Sequence, residues 1–185
     1  IAMDGSGNLY VADMGNNRIQ VRDTSGVWTV IDPPGGDLGG FSMPSSVAVA
    51  ATGLLYVTDM GNNRILIRDA AGSWTATGAA GAAAGQFQNP SGVAVDSSGR
   101  LYIADMGNNR IQVRDTSGNW TVYGGGATGS AAGRDDGQFN SPQDLAVSAA
   151  GMLYVSDTDN NRIEAARIVA DTVTPAPFLI LLMDE

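Results

Sequence analysis

The chain of 185 residues is acidic: it carries 19 Asp and Glu against 10 basic residues, all of them arginine, and a net charge of −9. We expect no nucleic-acid partner, because a polyanion would be repelled at long range. The chain has no cysteine and no histidine, which removes disulfides, thiolate nucleophiles, the commonest general base and the commonest transition-metal ligand. We therefore expect no cofactor and no bound metal.

An internal repeat organises the sequence. The string Asp-Met-Gly-Asn-Asn-Arg-Ile begins at Asp13, Asp59 and Asp105, and an edited copy with Thr-Asp in place of Met-Gly begins at Asp157. The copies start 46, 46 and 52 residues apart, a spacing that suits one four-stranded unit per repeat. The length of the chain therefore corresponds to four such units.

The strand pattern is clearest in the third repeat. Alternating residues between Gly, Asn, Asp and Ser turns predict short strands at 93–95, 101–104, 111–114 and 120–123. A meander of this kind, repeated at a fixed period, is typical of sheets stacked around an axis. We expect four blades in residues 1–163 and a divergent segment at 164–185, with the blades at about 1–30, 47–77, 93–123 and 145–170.

The segment from Pro90 to Val113 closely resembles the consensus of the NHL repeat, through Val-Ala-Val-Asp at 93–96 and Asp-Met-Gly-Asn-Asn-Arg-Ile at 105–111. The resemblance implies an all-β fold, a β-propeller of four-stranded antiparallel blades, with four NHL-type blades in this chain. Propellers of the family usually have six blades, so four is a departure. Four blades would close alone, pair with a second chain into a ring of eight, or belong to a longer propeller.

Most aromatic residues recur at fixed places in the repeat, which indicates packing between blades rather than a ligand platform. Small residues at one position of every first strand suit the crowded centre, so we expect that strand to be innermost. The recurring residues are Trp28, Trp74, Trp120, Tyr10, Tyr56, Tyr102, Tyr154, Phe41, Phe87 and Phe139, with Ala2, Ala48, Ala94 and Ala146 on the first strands.

The repeated Asp and Arg residues are interpreted as a structural turn, in which the Arg donates to carbonyls or to the Asp carboxylate. The alternative is a ring of carboxylates that holds a hard cation, but one Asp per blade does not supply six converging oxygens. The turn residues are Asp13, Asp59, Asp105 and Asp157, with Arg18, Arg64, Arg110 and Arg162.

Ligand contact is expected on the face that carries these turns and the unequal loops at 32–43, 78–89 and 124–141, because loops positioned on a scaffold commonly bind. Methionine at turn tips indicates an adaptable rim, although copying of one blade would also spread Met, and Gly- and Ala-rich loops also serve as spacers. The candidate ligand-binding residues are Met14, Met60, Met106, Arg134, Asp135, Asp136 and Asp159.

The apolar run from Phe178 to Met183 is too short to span a bilayer. It suits either the outermost strand of the fourth blade or the innermost strand of a further blade, and as an uncovered edge it would favour self-association.

These observations predict a non-catalytic scaffold for a protein, peptide or glycan ligand, with secretion or surface display favoured by the lack of Cys and Lys and by the low-complexity loops. The alternative is a cation-dependent propeller lyase or lactonase-like enzyme. Such enzymes usually place His at the channel mouth, and this chain has none.

Overall fold

A computed structural model of the chain describes residues 1–31, 33–125 and 131–167, together with the backbone of 179–181. The described part is a β-propeller arc of four separate sheets, each antiparallel and four-stranded. This confirms the predicted fold class. Within the described residues no helix is long and apolar enough to cross a membrane.

Each blade is a meander in which the strands follow one another in chain order. Blade one contains β1 (Ala2–Met3), β2 (Leu9–Asp13), β3 (Arg18–Arg22) and β4 (Trp28–Ile31). Blade two contains β5 (Pro44–Val49), β6 (Leu55–Asp59), β7 (Arg64–Arg68) and β8 (Trp74–Thr77). Blade three contains β9 (Pro90–Val95), β10 (Leu101–Asp105), β11 (Arg110–Arg114) and β12 (Trp120–Gly124). Blade four contains β13 (Pro142–Val147), β14 (Met152–Asp157), β15 (Arg162–Arg167) and β16 (Leu179–Leu181).

A 3₁₀ turn joins the second and third strands of every blade. The residue that directly follows each turn is an Asn in the left-handed region, with φ between 51° and 54°, a conformation that Asn tolerates better than most residues. The repeated second Asn of the motif therefore has a backbone role. The turns are Met14–Asn16, Met60–Asn62, Met106–Asn108 and Thr158–Asn160, and a further 3₁₀ turn, Gly36–Leu38, lies between blades one and two.

The first strand of each blade is innermost, and there neighbouring blades approach closely. A Cβ placed on Gly92 of β9 would lie 2.8 Å from the Cα of Asp144 in β13. That separation is far below ordinary contact between carbon atoms, so only glycine fits this site without moving a blade. The close approach at Gly92 shows how little space separates the inner strands of blades three and four.

Each gap between successive blades holds one hydrophobic core. Between blades two and three, Tyr56 and Ile65 of one sheet pack against Val93 and Leu101 of the next. The Phe that precedes each inner strand seals the outer part of the gap, and the rings of Phe87 and Trp120 meet edge to face at 5.5 Å. Corresponding residues build the cores between blades one and two and between blades three and four.

The first and fourth blades share no such core among the described residues, so the four blades form an open arc. Trp28 of blade one and Tyr154 of blade four are exposed. The prediction that every repeated aromatic packs between blades is wrong for these two, because each lies on a sheet face that no neighbouring blade covers.

The C-terminal segment contributes to blade four. Leu179–Leu181 pairs antiparallel with β15, with Leu181 opposite Ile163 and Leu179 opposite Ala165. This segment therefore takes the place of the outermost strand rather than the innermost strand of a further blade. Residues 168–178 and 182–185, which include Phe178 and Met183 of the apolar run, lie outside the described residues.

Replacement of Gly92 by Ala tests the contact between inner strands. We expect Gly92→Ala to destabilise the fold by about 1–3 kcal/mol, because the added methyl overpacks backbone atoms of β13. The exposed turn residue Gly5, where an added methyl would have no atom within 4 Å, provides the control Gly5→Ala, with a change within about 0.5 kcal/mol. Urea unfolding measures both, and equal stabilities would contradict the packing described here.

Candidate functional site

The carboxylate of the repeated Asp is the centre of each turn. In blade three, Oδ2 of Asp105 accepts hydrogen bonds from Nε of Arg110 at 2.6 Å and from Nδ2 of Asn108 at 2.9 Å. Its Oδ1 accepts the backbone N–H of Gln88, in the loop that precedes the blade, at 2.7 Å. The carboxylate thus joins the two halves of the turn to the incoming loop.

The guanidinium of the same turn holds the inter-blade loop in place. Beyond its bond to Asp105, Arg110 donates to the carbonyl oxygens of Ala82, Ala83 and Gln86 at 2.5, 2.9 and 2.8 Å. In blade four Arg162 donates in the same way, to the carbonyls of Arg134, Asp135 and Gln138 at 2.6, 3.3 and 2.7 Å. The turns and the inter-blade loops therefore lie on one face of the arc, which we call the loop face.

A second repeated contact joins neighbouring blades across the loop face. Oδ1 of Asn63, at the end of the blade-two turn, accepts the backbone N–H of Asn89 just before β9, at 2.8 Å. Asn17 accepts from Met43 in the same way at 2.7 Å, and Asn109 accepts from Ser141 at 2.9 Å. Each Asn therefore positions the start of the next blade.

These contacts leave the Asp residues little capacity for ligands. Each of Asp13, Asp59, Asp105 and Asp157 accepts from the Arg and the first Asn of its own turn, at distances between 2.6 and 3.1 Å. Among the residues that the structure describes, no group of three or more Asp or Glu side chains is arranged to hold a metal ion. The geometry offers nothing in favour of the cation-ring alternative.

The methionines predicted to contact a ligand all lie on the loop face, each in the turn of a different blade. Met14 is exposed, and Met60 and Met106 are partly buried. Met43, which the sequence did not single out, is also exposed and lies between two of these turns, since its methyl rests against Gly61 and its N–H is bound by Asn17. Its backbone has a φ of 49°, a conformation that is rare for residues other than Gly, Asn and Asp.

The charged candidates lie near blade four. Arg134, Asp135 and Asp136 are exposed in the loop that precedes β13. Asp159 is exposed in the last turn, where its Oδ2 accepts from Oγ of Ser141 at 2.6 Å. The structure brings these residues to the loop face, at the opposite end of the arc from Met14.

The family assignment rests on these same elements. The NHL repeat family model matches residues 41–67, 87–113 and 139–165. The chain therefore carries three NHL repeats. Each match begins at the buried Phe before an inner strand and ends within the third strand, so it contains the Asp, Asn and Arg residues of the turn. No curated protein matches the chain significantly.

Solved structures share the fold at low sequence identity. A streptogramin B lyase structure superposes with a TM-score of 0.66 at 17% identity, over 89% of this chain and 49% of that one. A chain of the nidogen/laminin complex gives 0.70 at 19% identity, over 90% and 59%. An auxiliary nutrient binding protein from Bacteroides ovatus gives 0.68 at 18% identity, over 89% and 46%. The chain thus spans about half the length of these chains.

One NHL blade contains an unusual buried acid. Glu164 of β15 occupies the position of Gln112 in β11, whose amide donates to the carbonyl of Gln86 at 2.6 Å and to Asp105 at 3.0 Å. An ionised Glu cannot donate either bond. Burial, together with the nearby Asp157 carboxylate, raises the pKa of Glu164 from 4.5 to about 7, although the adjacent Arg162 opposes the shift.

On the face of the arc opposite the loop face, a cleft lies between blades two and three. It measures about 350 Å³ and is lined by Tyr56, Asp96 and Arg114 among others. Burial would raise the pKa of Asp96, but hydrogen bonds from Ser98, Arg100 and Tyr102 outweigh it and lower the pKa to about 2. This carboxylate is therefore committed to its own turn.

The repeated ion pair allows a comparison within one molecule. The side chain of Arg110 is 1% exposed and that of Arg18 is 41% exposed, although each bonds to the Asp of its turn at 2.6 Å. We expect Arg110→Ala to cost about 3–5 kcal/mol, because Asp105 is left buried and uncompensated. Arg18→Ala should cost no more than about 1 kcal/mol. Chemical denaturation measures both, and similar losses would show that burial does not control the contribution of this pair.

Glu164 predicts a stability that depends on pH. The unfolded chain releases this proton near pH 4.5, whereas the folded chain retains it up to about pH 7. The folded state therefore binds more protons in this interval, and stability falls as pH rises through it. Glu164→Gln should remove this slope and add roughly 2 kcal/mol at pH 8, since its amide restores both donors. Urea unfolding at pH 5, 6, 7 and 8 tests this, and an unchanged slope in the variant would contradict it.

Proposed function

We propose that this NHL arc is a non-catalytic scaffold that binds a peptide segment of a protein ligand on its loop face. The observation that carries this proposal is Met43, an exposed apolar residue held with positive φ between two turns. The equivalent residues Asn89 and Ser141 have the same positive φ, so this backbone conformation belongs to the repeat, but their side chains are polar. Met43 differs from them because it places an apolar side chain at this position.

Met43 and its neighbours supply the apolar part of the surface. Because Met43 bonds to Asn17 and rests against Gly61, it bridges the turns that present Met14 and Met60. Methionine is flexible and polarisable, and surfaces rich in it accommodate apolar side chains of varied shape. A peptide with one or two apolar anchors fits this surface better than a glycan, for which the loop face would need hydrogen-bonding groups that are not already used within the turns.

Charge favours a basic ligand. Asp135, Asp136 and Asp159 are exposed on the same face, and the whole chain carries a net charge of −9. A ligand that also carries Lys or Arg would be steered to this face, and its association rate would fall as salt is added. The proposal therefore specifies both a hydrophobic and an electrostatic component.

The chemistry of the repeat supports a non-catalytic role. The Asp residues that would act as acids or as metal ligands are bonded to Arg and Asn within their own turns, and the chain has no histidine. The similarity to a streptogramin B lyase is at 17% identity and extends to the fold alone. An enzyme of that kind remains the second hypothesis, which an assay addresses directly.

A peptide array tests the binding proposal. We expect the chain to bind array peptides that combine Leu, Met or Phe with Lys or Arg. Replacement of Met14, Met43 and Met60 by Ser should weaken binding to the selected peptides at least tenfold, measured by fluorescence anisotropy. Met152→Ser is the matched control, because this residue of blade four lies away from the loop face, and the variant should bind as the parent chain does.

Two outcomes would contradict the proposal. Peptide binding that the triple variant retains would place the ligand elsewhere, and selective capture on a glycan array alone would assign a sugar ligand. In a separate assay, the chain is incubated with a streptogramin B, with and without a divalent cation, and the products are analysed by mass spectrometry. We expect no product, and turnover would establish the enzymatic alternative.

A further inference from the structure

Blades one and four, at the two ends of the arc, each have one uncovered sheet face. These two faces correspond to the two sides of the interface between successive blades. On blade one, the uncovered face carries Ile1, Met3, Trp28 and Val30, which are all exposed. The residue equivalent to Ile1 in blade two is Val47, which is 3% exposed where Ile1 is 80% exposed. This face is therefore built as the receiving side of an interface, and nothing in the described part of the chain covers it.

Blade four presents the complementary side. Tyr154 is 39% exposed, whereas the equivalent Tyr102, covered by blade four, is 1% exposed. Ala146 and Ser156 are uncovered beside it, and a shallow groove between them is lined by Ile163. The Ile residues equivalent to Ile163 are completely buried in the other three blades.

Every internal interface joins one surface of each kind. Between blades two and three, Ala48, Tyr56 and Ile65 of the earlier blade meet Val93 and other apolar residues of the later one. Between blades one and two, Tyr10 and Ile19 meet Val47, Leu55 and Val57 in the same arrangement. The end face of blade four therefore resembles the sheet faces that, inside the chain, pack against the equivalents of the blade-one end face.

We propose that the two end faces bind each other between two copies of this chain, so that blade four of each copy packs against blade one of the other. The interface is the one already used three times within the chain, and it is head-to-tail. Applied twice it closes a two-fold ring of eight blades, which is within the range of blade numbers that propellers adopt. It also removes exposed apolar side chains from both ends at once.

Two of the three internal interfaces also contain a charge beside a phenol. Arg68 and Arg114 act electrostatically on Tyr10 and Tyr56 of the preceding blade, which places each guanidinium near a phenol across an internal interface. Arg22, which is exposed on blade one, is the equivalent residue. In the ring, Arg22 of one copy lies near Tyr154 of the other, so the pairing positions a cation as well as an apolar surface.

Light scattering of the 185-residue chain tests the assembly. We expect a mass of twice the 19.0 kDa of the chain, and Met3→Asp or Tyr154→Asp alone should each shift the population towards monomer by at least tenfold in dissociation constant. Thr121→Asp, an exposed residue of β12 away from both ends, is the control and should leave the dimer unchanged. Circular dichroism confirms that the variants are folded.

A pair of cysteines tests the register. Within the chain, Oγ of Ser46 lies 3.4 Å from the backbone N of Val93, and the repeat maps this contact onto Asp144 of one copy and Ile1 of the other. The double variant Ile1→Cys, Asp144→Cys should form disulfide-linked dimers on oxidation, because these positions lie at opposite ends of one arc. Each single variant should give at least tenfold less linked product.

Three results would overturn the proposal. They are a monomer at all concentrations, a mass that grows beyond the dimer, and a dimer that survives both Met3→Asp and Tyr154→Asp. Because none of these substitutions lies on the loop face, failure of the ring would leave the peptide-binding proposal intact.

Discussion

The ion pair between the repeated Asp and Arg, whose carboxylate is buried in blades two to four, is the interaction on which this arc depends. An Asp at the end of a strand carries a charge that is costly to bury, and the turn compensates it with one guanidinium, one amide and a backbone N–H from the preceding loop. The guanidinium then uses its remaining donors on loop carbonyls. Without the pair, the loop and the blade would lose their common anchor.

Repetition makes most of this structure predictable. Strand alternation and fixed spacing were sufficient to predict four blades with the first strand innermost, because the strands of every blade pack in the same way. Positions within the arc were not predictable in this way. Trp28 and Tyr154 read as interior residues by register, but burial depends on a neighbouring sheet, and the repeat cannot indicate which copies lie at the ends.

Prediction from the repeat is limited in the same way for single residues of the candidate site. Met14, Met60 and Met106 are visible because they share one place in the motif. Met43 is not, because the equivalent positions carry Asn89 and Ser141, so no repeated residue type marks the site, although all three residues share a positive φ. Glu164 is similar, because a Glu where another blade has Gln112 looks conservative until its missing donors are buried.

The loop face and the end faces differ in what the repeat requires of their residues. At the loop face, hydrogen bonding within each turn consumes the polar groups, so that the side chains left for a ligand are mainly apolar tips and a few carboxylates near blade four. At the end faces, the apolar residues are those of an interface that the arc has already formed three times. A ring of two copies would place both loop faces on one side, because a two-fold axis along the propeller axis keeps each copy in the same orientation. Two equivalent peptide sites would then lie on a single surface, and a ligand with two binding segments would gain affinity through the second attachment.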